Sequence, residues 1–310
     1  MKRRWVKPLA WLFSGIVLLV TAGLWRFVVG PKLLYKAIGQ QKLLIVGEAT
    51  VMVGQGVGGG RKEPGESAAT VQLLLRLGVS PNQLDAYDEQ TPLHKAVMAE
   101  DLATCRVLLD AGVSPNIRSW FGSTPLHLMM HHQGEEVLEL LLAHGADPNL
   151  KDSQGATPLH APFQDVEQFQ GWEDKPLLPK YALLIKAGGR LDLRDKDGRT
   201  PLYLATEYGL PEVYDLMVAS GADRKEKTPD GATLLQAAAS GRFVFDDEGK
   251  ITLLKKLAPL FGTINTPDNE GYTPLDYAVP EGKYKDGMGV QDFTIVELKR
   301  LGAKLGKATK

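Results

Sequence analysis

Six histidines, one cysteine and a run of glycines are the residues of this chain whose types and spacing could do chemistry. His127 and His131 stand four apart, which sets two imidazoles on one helical face, as some zinc sites require. No Glu follows His127 to complete H-E-x-x-H, and a third ligand would have to come from elsewhere, so no metal is assigned. His144 stands in the turn before Gly145, where a charged ring would suit a helix C-terminus. Cys105 cannot form an intramolecular disulfide, and it excludes a cysteine-based metal site. Gly54-Gln55-Gly56-Val57-Gly58-Gly59 satisfies G-x-G-x-x-G after the strand-like Ala49–Val53, yet Arg61–Gly65 follows where a dinucleotide site needs a helix. No Lys-Ser or Lys-Thr completes a phosphate loop, and no G-x-S-x-G elbow is present. The carboxylate pairs Asp246-Asp247 and Asp195 with Asp197 fall in loops, where solvated turn chemistry accounts for them. No residue set supports catalysis, a cofactor or a small-molecule substrate.

The elements that must position these residues are legible in Thr124–Asn149. Thr124 can cap a helix, Pro125 suits its first position, and Leu126 starts its apolar face. A second helix opens near Gly134-Glu135-Glu136, with carboxylates at the positive end of its dipole. Val137, Leu138, Leu141 and Leu142 recur at helical spacing, and Gly145 stops the helix where a left-handed residue is needed. Such a pair buries too little alone and needs copies on either side.

The copies are present. Thr91-Pro92-Leu93-His94 recurs 33 residues on at Thr124 and again at Thr157, with looser copies at Thr200, Thr233 and Thr273. The second helices end in step at Gly112, Gly145 and Gly188. A degenerate first copy aligns Leu34–Ile38 with Leu93–Val97 and places its second helix at Val71–Leu77. The last copy ends at Gly302, with Lys299 where inner copies are apolar. Cys105 aligns with Val71 and Val137, which makes it a small buried hydrophobe.

Period and motif together resemble the ankyrin repeat over about residues 31–305. The resemblance implies an all-α solenoid of about seven helix-turn-helix repeats that binds another protein. It implies structural roles for His94, His127 and His160, each bonding locally and to the neighbouring repeat. It also places partner contacts on the exposed concave end of the first helix, where His131 and His132 fall. The expected organisation is an N-terminal segment at 1–30, a degenerate repeat with a Gly-rich insertion at 31–90, central repeats at 91–272 and a capping repeat with its tail at 273–310.

From motif Thr to helix-ending Gly the distance is 21 residues in three copies. It grows to 31 from Thr157, 29 from Thr233 and 29 from Thr273, while the return to the next Thr stays at 11 to 13. The extra residues therefore enter near the junction of the two helices. They serve binding, or they are loop growth that costs little because closure entropy rises slowly with length.

The N-terminus is of another kind. Lys2, Arg3, Arg4 and Lys7 precede an uncharged apolar run from Leu9 to Trp25, about 26 Å if helical. Apolar character resumes after Arg26 with Phe27, Val28 and Val29. This predicts a single transmembrane helix with a cytoplasmic N-terminus and everything after it across the membrane, in the periplasm if the source is bacterial. The competing reading is a signal peptide cleaved near Val20-Thr21-Ala22, although no polar break ends the apolar stretch there. The formal net charge is −1, so no global field attracts nucleic acid.

Between repeats, most turns carry solvent-compatible tips such as Asp152–Gly155 and Asp195–Gly198. Trp120-Phe121 is the exception, two large aromatics at a tip. They are expected to contact a partner, the alternative being that Trp120 folds back on Asp85-Ala86-Tyr87. Tyr87 and Tyr208 complete the expected contact set with Trp120, Phe121, His131 and His132. The function expected is protein binding on the extracytoplasmic side, with sequestering or inhibiting an envelope enzyme as one form. A structural or chaperone-like scaffold without a dedicated partner is the alternative, and an enzyme built on the inserted loops a third.

Overall fold

Threonine followed by proline starts the first helix in most repeats, and a left-handed glycine ends the second. The computed structural model describes residues 43–46, 49–52, 66–76, 80–82, 90–119, 121–132, 134–163, 177–240, 247–279 and 292–306. The apolar run 9–29, the first-repeat helix expected at 34–38 and the glycines 54–59 lie outside these residues. Among the described residues no helix is long and apolar enough to cross a membrane. The chain divides into two compact units, residues 1–146 and 147–310.

The first unit opens with β1 (Leu43–Val46) and β2 (Ala49–Met52), paired antiparallel with Leu43 opposite Met52 and Val46 opposite Ala49. This hairpin adds strand to a chain expected to be all helical. Its antiparallel pairing is also unlike the parallel βαβ unit that a dinucleotide site requires. Then come α1 (Glu66–Arg76), α2 (Pro92–Met98), α3 (Leu102–Asp110), α4 (Pro125–Met129) and α5 (Glu135–Ala143). Helix α2 packs on α3 and α4, and α3 packs on α1 and α5. The motif leucines Leu93 and Leu126 and the second-helix leucines Leu108 and Leu141 are fully buried. Gly145 adopts φ +84°, and the Ala146 N–H then closes back on the Leu141 carbonyl at 3.0 Å.

The first repeat motif of the second unit is Thr157-Pro158-Leu159-His160, but no α-helix forms there. A 3₁₀ turn, Ala161–Phe163, stands in its place. Pro162 is the physical reason: it has no N–H to give the Pro158 carbonyl, and Phe163 N bonds His160 O at 3.0 Å instead. After it come α6 (Leu177–Lys186), α7 (Pro201–Glu207), α8 (Pro211–Ala219), α9 (Leu234–Ala239), α10 (Asp247–Phe261), α11 (Pro274–Ala278) and α12 (Asp292–Arg300). Part of the extra length in the sixth repeat goes into α10, which has 15 residues where α8 has 9. Every residue of α7 and α9 is buried, so these first helices offer no open concave face.

Candidate interaction surface

Two of the motif histidines, His94 and His160, are held by both ring nitrogens. Thr91 N–H donates to His94 Nδ1 at 3.2 Å, which leaves the proton on Nε2 to bond Ser123 O at 3.1 Å in the next repeat. His160 repeats the pattern, with Thr157 N on Nδ1 at 3.2 Å and Nε2 on Arg199 O at 3.2 Å. Burial holds the His160 pKa down at about 4, so the ring stays neutral. His127 is buried, and its Nδ1 bonds the Thr124 amide and hydroxyl at 3.1 and 2.9 Å. That nitrogen is committed to the cap and unavailable to a metal paired with His131. Among the described residues no group of three or more metal-ligating side chains could hold an ion. Cys105 is buried as expected, and burial, with Asp101 adding to it, pushes its thiol up to about 12.

The aromatic tip is rigidly framed. Ser119 N bonds Ser123 O at 3.0 Å, Gly122 N bonds Ser119 O at 2.9 Å, and Arg118 donates to Gly122 O at 3.1 Å. Gly122 takes φ +71° to close the turn. Phe121 stands out from it with 68% of its surface exposed. Trp120 and Tyr87 lie outside the described residues.

His131 and His132 follow the short α4 and are both half-buried. Their amides close 3₁₀ turns onto Leu128 O and Met129 O at 3.0 and 3.2 Å. His132 Nδ1 lies 3.6 Å from the Glu100 carboxylate. Glu100 is a residue that sequence reasoning missed. It holds φ +51° where the equivalent residue of the fifth repeat is Gly209, at φ +74°. A non-glycine residue in this conformation stores about 1 kcal/mol, and such strain clusters at functional positions. Its signal in the sequence was a glutamate standing nine residues after the motif Thr, where Gly209 stands after Thr200.

Tyr208 is a correction. It is 4% exposed, its ring lies 4.8 Å from that of Phe163, and its hydroxyl donates to Phe163 O at 3.1 Å. Packing against the 3₁₀ turn of the fourth repeat removes it from any contact surface. Asp195 also departs from the solvated role expected of it. Its Oδ1 accepts the Asp197 and Arg199 amides at 3.0 and 2.9 Å, the turn chemistry expected, while Oδ2 pairs with the Arg199 guanidinium at 2.9 Å. Asp246 lies outside the described residues. Arg199 further reaches Asp197 at 2.9 Å and the buried Glu207 at 3.7 Å. Burial pulls its pKa down, but Glu207 and Asp195 outweigh that and the net shift is upward.

Residues 63–152 match the family described as ankyrin repeats (3 copies), and residues 197–228 match the ankyrin repeat. The repeats within residues 63–152 and 197–228 are ankyrin repeats. Over 112 residues the chain is 30% identical to the inactive serine/threonine-protein kinase TEX14 of Bos taurus, covering 36% of this chain and 7% of that protein. Over 54 residues it is 46% identical to the E3 ubiquitin-protein ligase KEG of Arabidopsis thaliana, covering 17% of this chain and 3% of that protein. The chain thus spans less than a tenth of the length of either relative. Its fold is similar to the crystal structure of the ankyrin repeat domain of Bcl-3, a unique member of the IkappaB protein family. That match has a TM-score of 0.53 and 24% identity, and it covers 75% of this chain and 93% of that one. At that identity the likeness concerns the fold alone.

Proposed function

We propose that this chain is a membrane-anchored ankyrin-repeat protein that binds another protein on the extracytoplasmic side. The observation that carries the binding surface is Phe121, an aromatic ring 68% exposed on a turn closed by backbone hydrogen bonds. A bare ring on a rigid frame loses little entropy when a partner's pocket covers it. The Glu100–His132 pair supplies a polar contact of the kind that surrounds such an anchor. Anchoring rests on the basic cluster Lys2–Lys7 followed by the uncharged apolar run from Leu9 to Trp25. Sequestering or inhibiting an enzyme of the same compartment is the role that best suits a tethered binding domain without catalytic residues of its own.

A photo-reactive side chain placed at position 121 of the full-length chain in native membranes tests the reading. One discrete adduct from position 121, and none from the exposed Lys186, is the expected result. A broad ladder of adducts would instead mark a scaffold without a dedicated partner. A reporter fused after Lys310 is expected to be active only outside the cytoplasm, and cytoplasmic activity would overturn the topology.

A further inference from the structure

Neighbouring turns of the second unit are joined by hydrogen bonds at the base, at the tip, or at both. At the base, Asn149 Nδ2 donates to Gly188 O at 3.0 Å and its Oδ1 accepts Arg190 N at 2.7 Å. Asn265 does the same with Gly302 O at 3.1 Å and Lys304 N at 2.6 Å. At the tip, Lys196 N donates to Gln154 O and Asn269 N to Asp230 O, each at 2.9 Å.

Between the turn at 188–199 and the next at 221–232, neither join is made among the described residues, and the covalent reasons are plain. The base position is Asp192, whose carboxylate has no N–H for the Gly221 carbonyl. It folds back on Arg190 instead, with contacts of 3.0 and 2.6 Å. The tip position is Pro229, which has no N–H for the Asp197 carbonyl. Its ring lies over Gly198, where a Cβ would collide with Pro229 Cδ.

A third departure coincides with these two. Five residues after Gly145 and Gly188 stand Leu150 and Leu193, but five after Gly221 stands Glu226. Its side chain is only 9% exposed and accepts the Thr200 hydroxyl, with the Arg194 guanidinium 4.0 Å away. A cavity of about 530 Å³ lies between the two turns, lined by Leu191, Asp192, Arg194, Thr200, Asp223 and Glu226.

We propose that this seam is a joint at which the repeat stack opens, and that the protonation state of Glu226 sets how tightly it closes. The groups acting on the carboxyl are Arg194 from the preceding turn, Thr200 at the start of α7 and Asp223 from its own turn, while Asp192 lines the same cavity. Asp192 is already paired with Arg190, so the Arg194 guanidinium stands against the carboxyls of Glu226 and Asp223. Burial, and then Asp223, raise the Glu226 pKa from 4.5 to about 7, against the opposing pull of Thr200 and Arg194. Between those values the closed seam holds a proton that an opened, hydrated seam gives up. Raising the pH across that range favours opening.

Amide hydrogen exchange of the full chain at pH 5 and pH 8, corrected for intrinsic rates, tests the joint. Amides of residues 221–232 are expected to be less protected at pH 8 than at pH 5, and at both values less protected than those of 188–190 and 302–306. Asp192→Asn restores the base donor, and Pro229→Lys restores the tip donor. Each is expected to slow exchange at 221–232 about fivefold, the effect of one net hydrogen bond. Glu226→Gln is expected to remove the pH dependence while leaving the circular dichroism unchanged. Equal protection at all three seams, no gain from Asp192→Asn, or a pH dependence that survives Glu226→Gln would each overturn the proposal.

Discussion

The seam between the turns at 145–156 and 188–199 and the one that follows it are built from the same motif, yet they are held differently. In the first, Asn149 and Lys196 supply base and tip bonds, and the buried His160 adds a third to Arg199 O. In the second, Asp192 and Pro229 cannot supply theirs, and the carboxyl of Glu226 occupies the place of a leucine. The difference shows that a repeat can keep its helices and its leucine core while losing its lateral bonds. Stacking in a solenoid combines apolar burial, which every copy has, with seam bonds, which each copy can lose separately.

Breaking the bonded seam is expected to have the largest effect. His160→Ala leaves the buried Thr157 amide without its acceptor, removes the imidazole donor from the Arg199 carbonyl, which keeps the Asp195 N–H at 2.9 Å, and creates a cavity. It is expected to cost about 3 kcal/mol by urea denaturation. Asn149→Ala removes two more exposed bonds and is expected to cost about 1.5 kcal/mol. At the equivalent place in the weak seam, Asp192→Ala breaks only a surface pair with Arg190 and is expected to leave the urea midpoint unchanged. Equal losses at the two positions would erase the distinction between the seams.

The smallest and sharpest difference is in pH. His160 takes a proton near 6.5 when unfolded and near 4 when folded. Its contribution is therefore present above about 6.5 and is lost as the pH falls toward 4. Glu226 runs the other way: its contribution is present below 4.5 and is lost as the pH rises to about 7. In urea midpoints measured from pH 4 to 8, His160→Gln should flatten the acid side and Glu226→Gln the neutral side. Either variant tracing the parent profile on its own side would sink that assignment.

Much of this was legible in the residues themselves. Thr-Pro-Leu-His predicts a capped helix start, and the structure returns it at Thr91 and Thr124, with the imidazole bonding the cap that the notation of period alone cannot show. Gly145 predicts a left-handed stop and has one. The failed helix after Thr157 had a local cause, Pro162, that the strength of the motif obscured.

Tyr208 shows where local reading ended. It stands eight residues after Thr200, as His132 stands eight after Thr124. The two share a register position and differ in exposure, because Phe163 of the preceding repeat packs on Tyr208 whereas Glu100 approaches His132 with a charge.

The sequence by itself determined the period, the caps, the glycine stops and the leucine core, because each depends on residues within one or two turns of chain. Only the tertiary structure decided which equivalent positions stay open to solvent and which seams are bonded. Those properties belong to pairs of residues about 30 to 45 positions apart, such as Asn149 with Gly188 and Phe163 with Tyr208. Neither member of such a pair carries the answer alone.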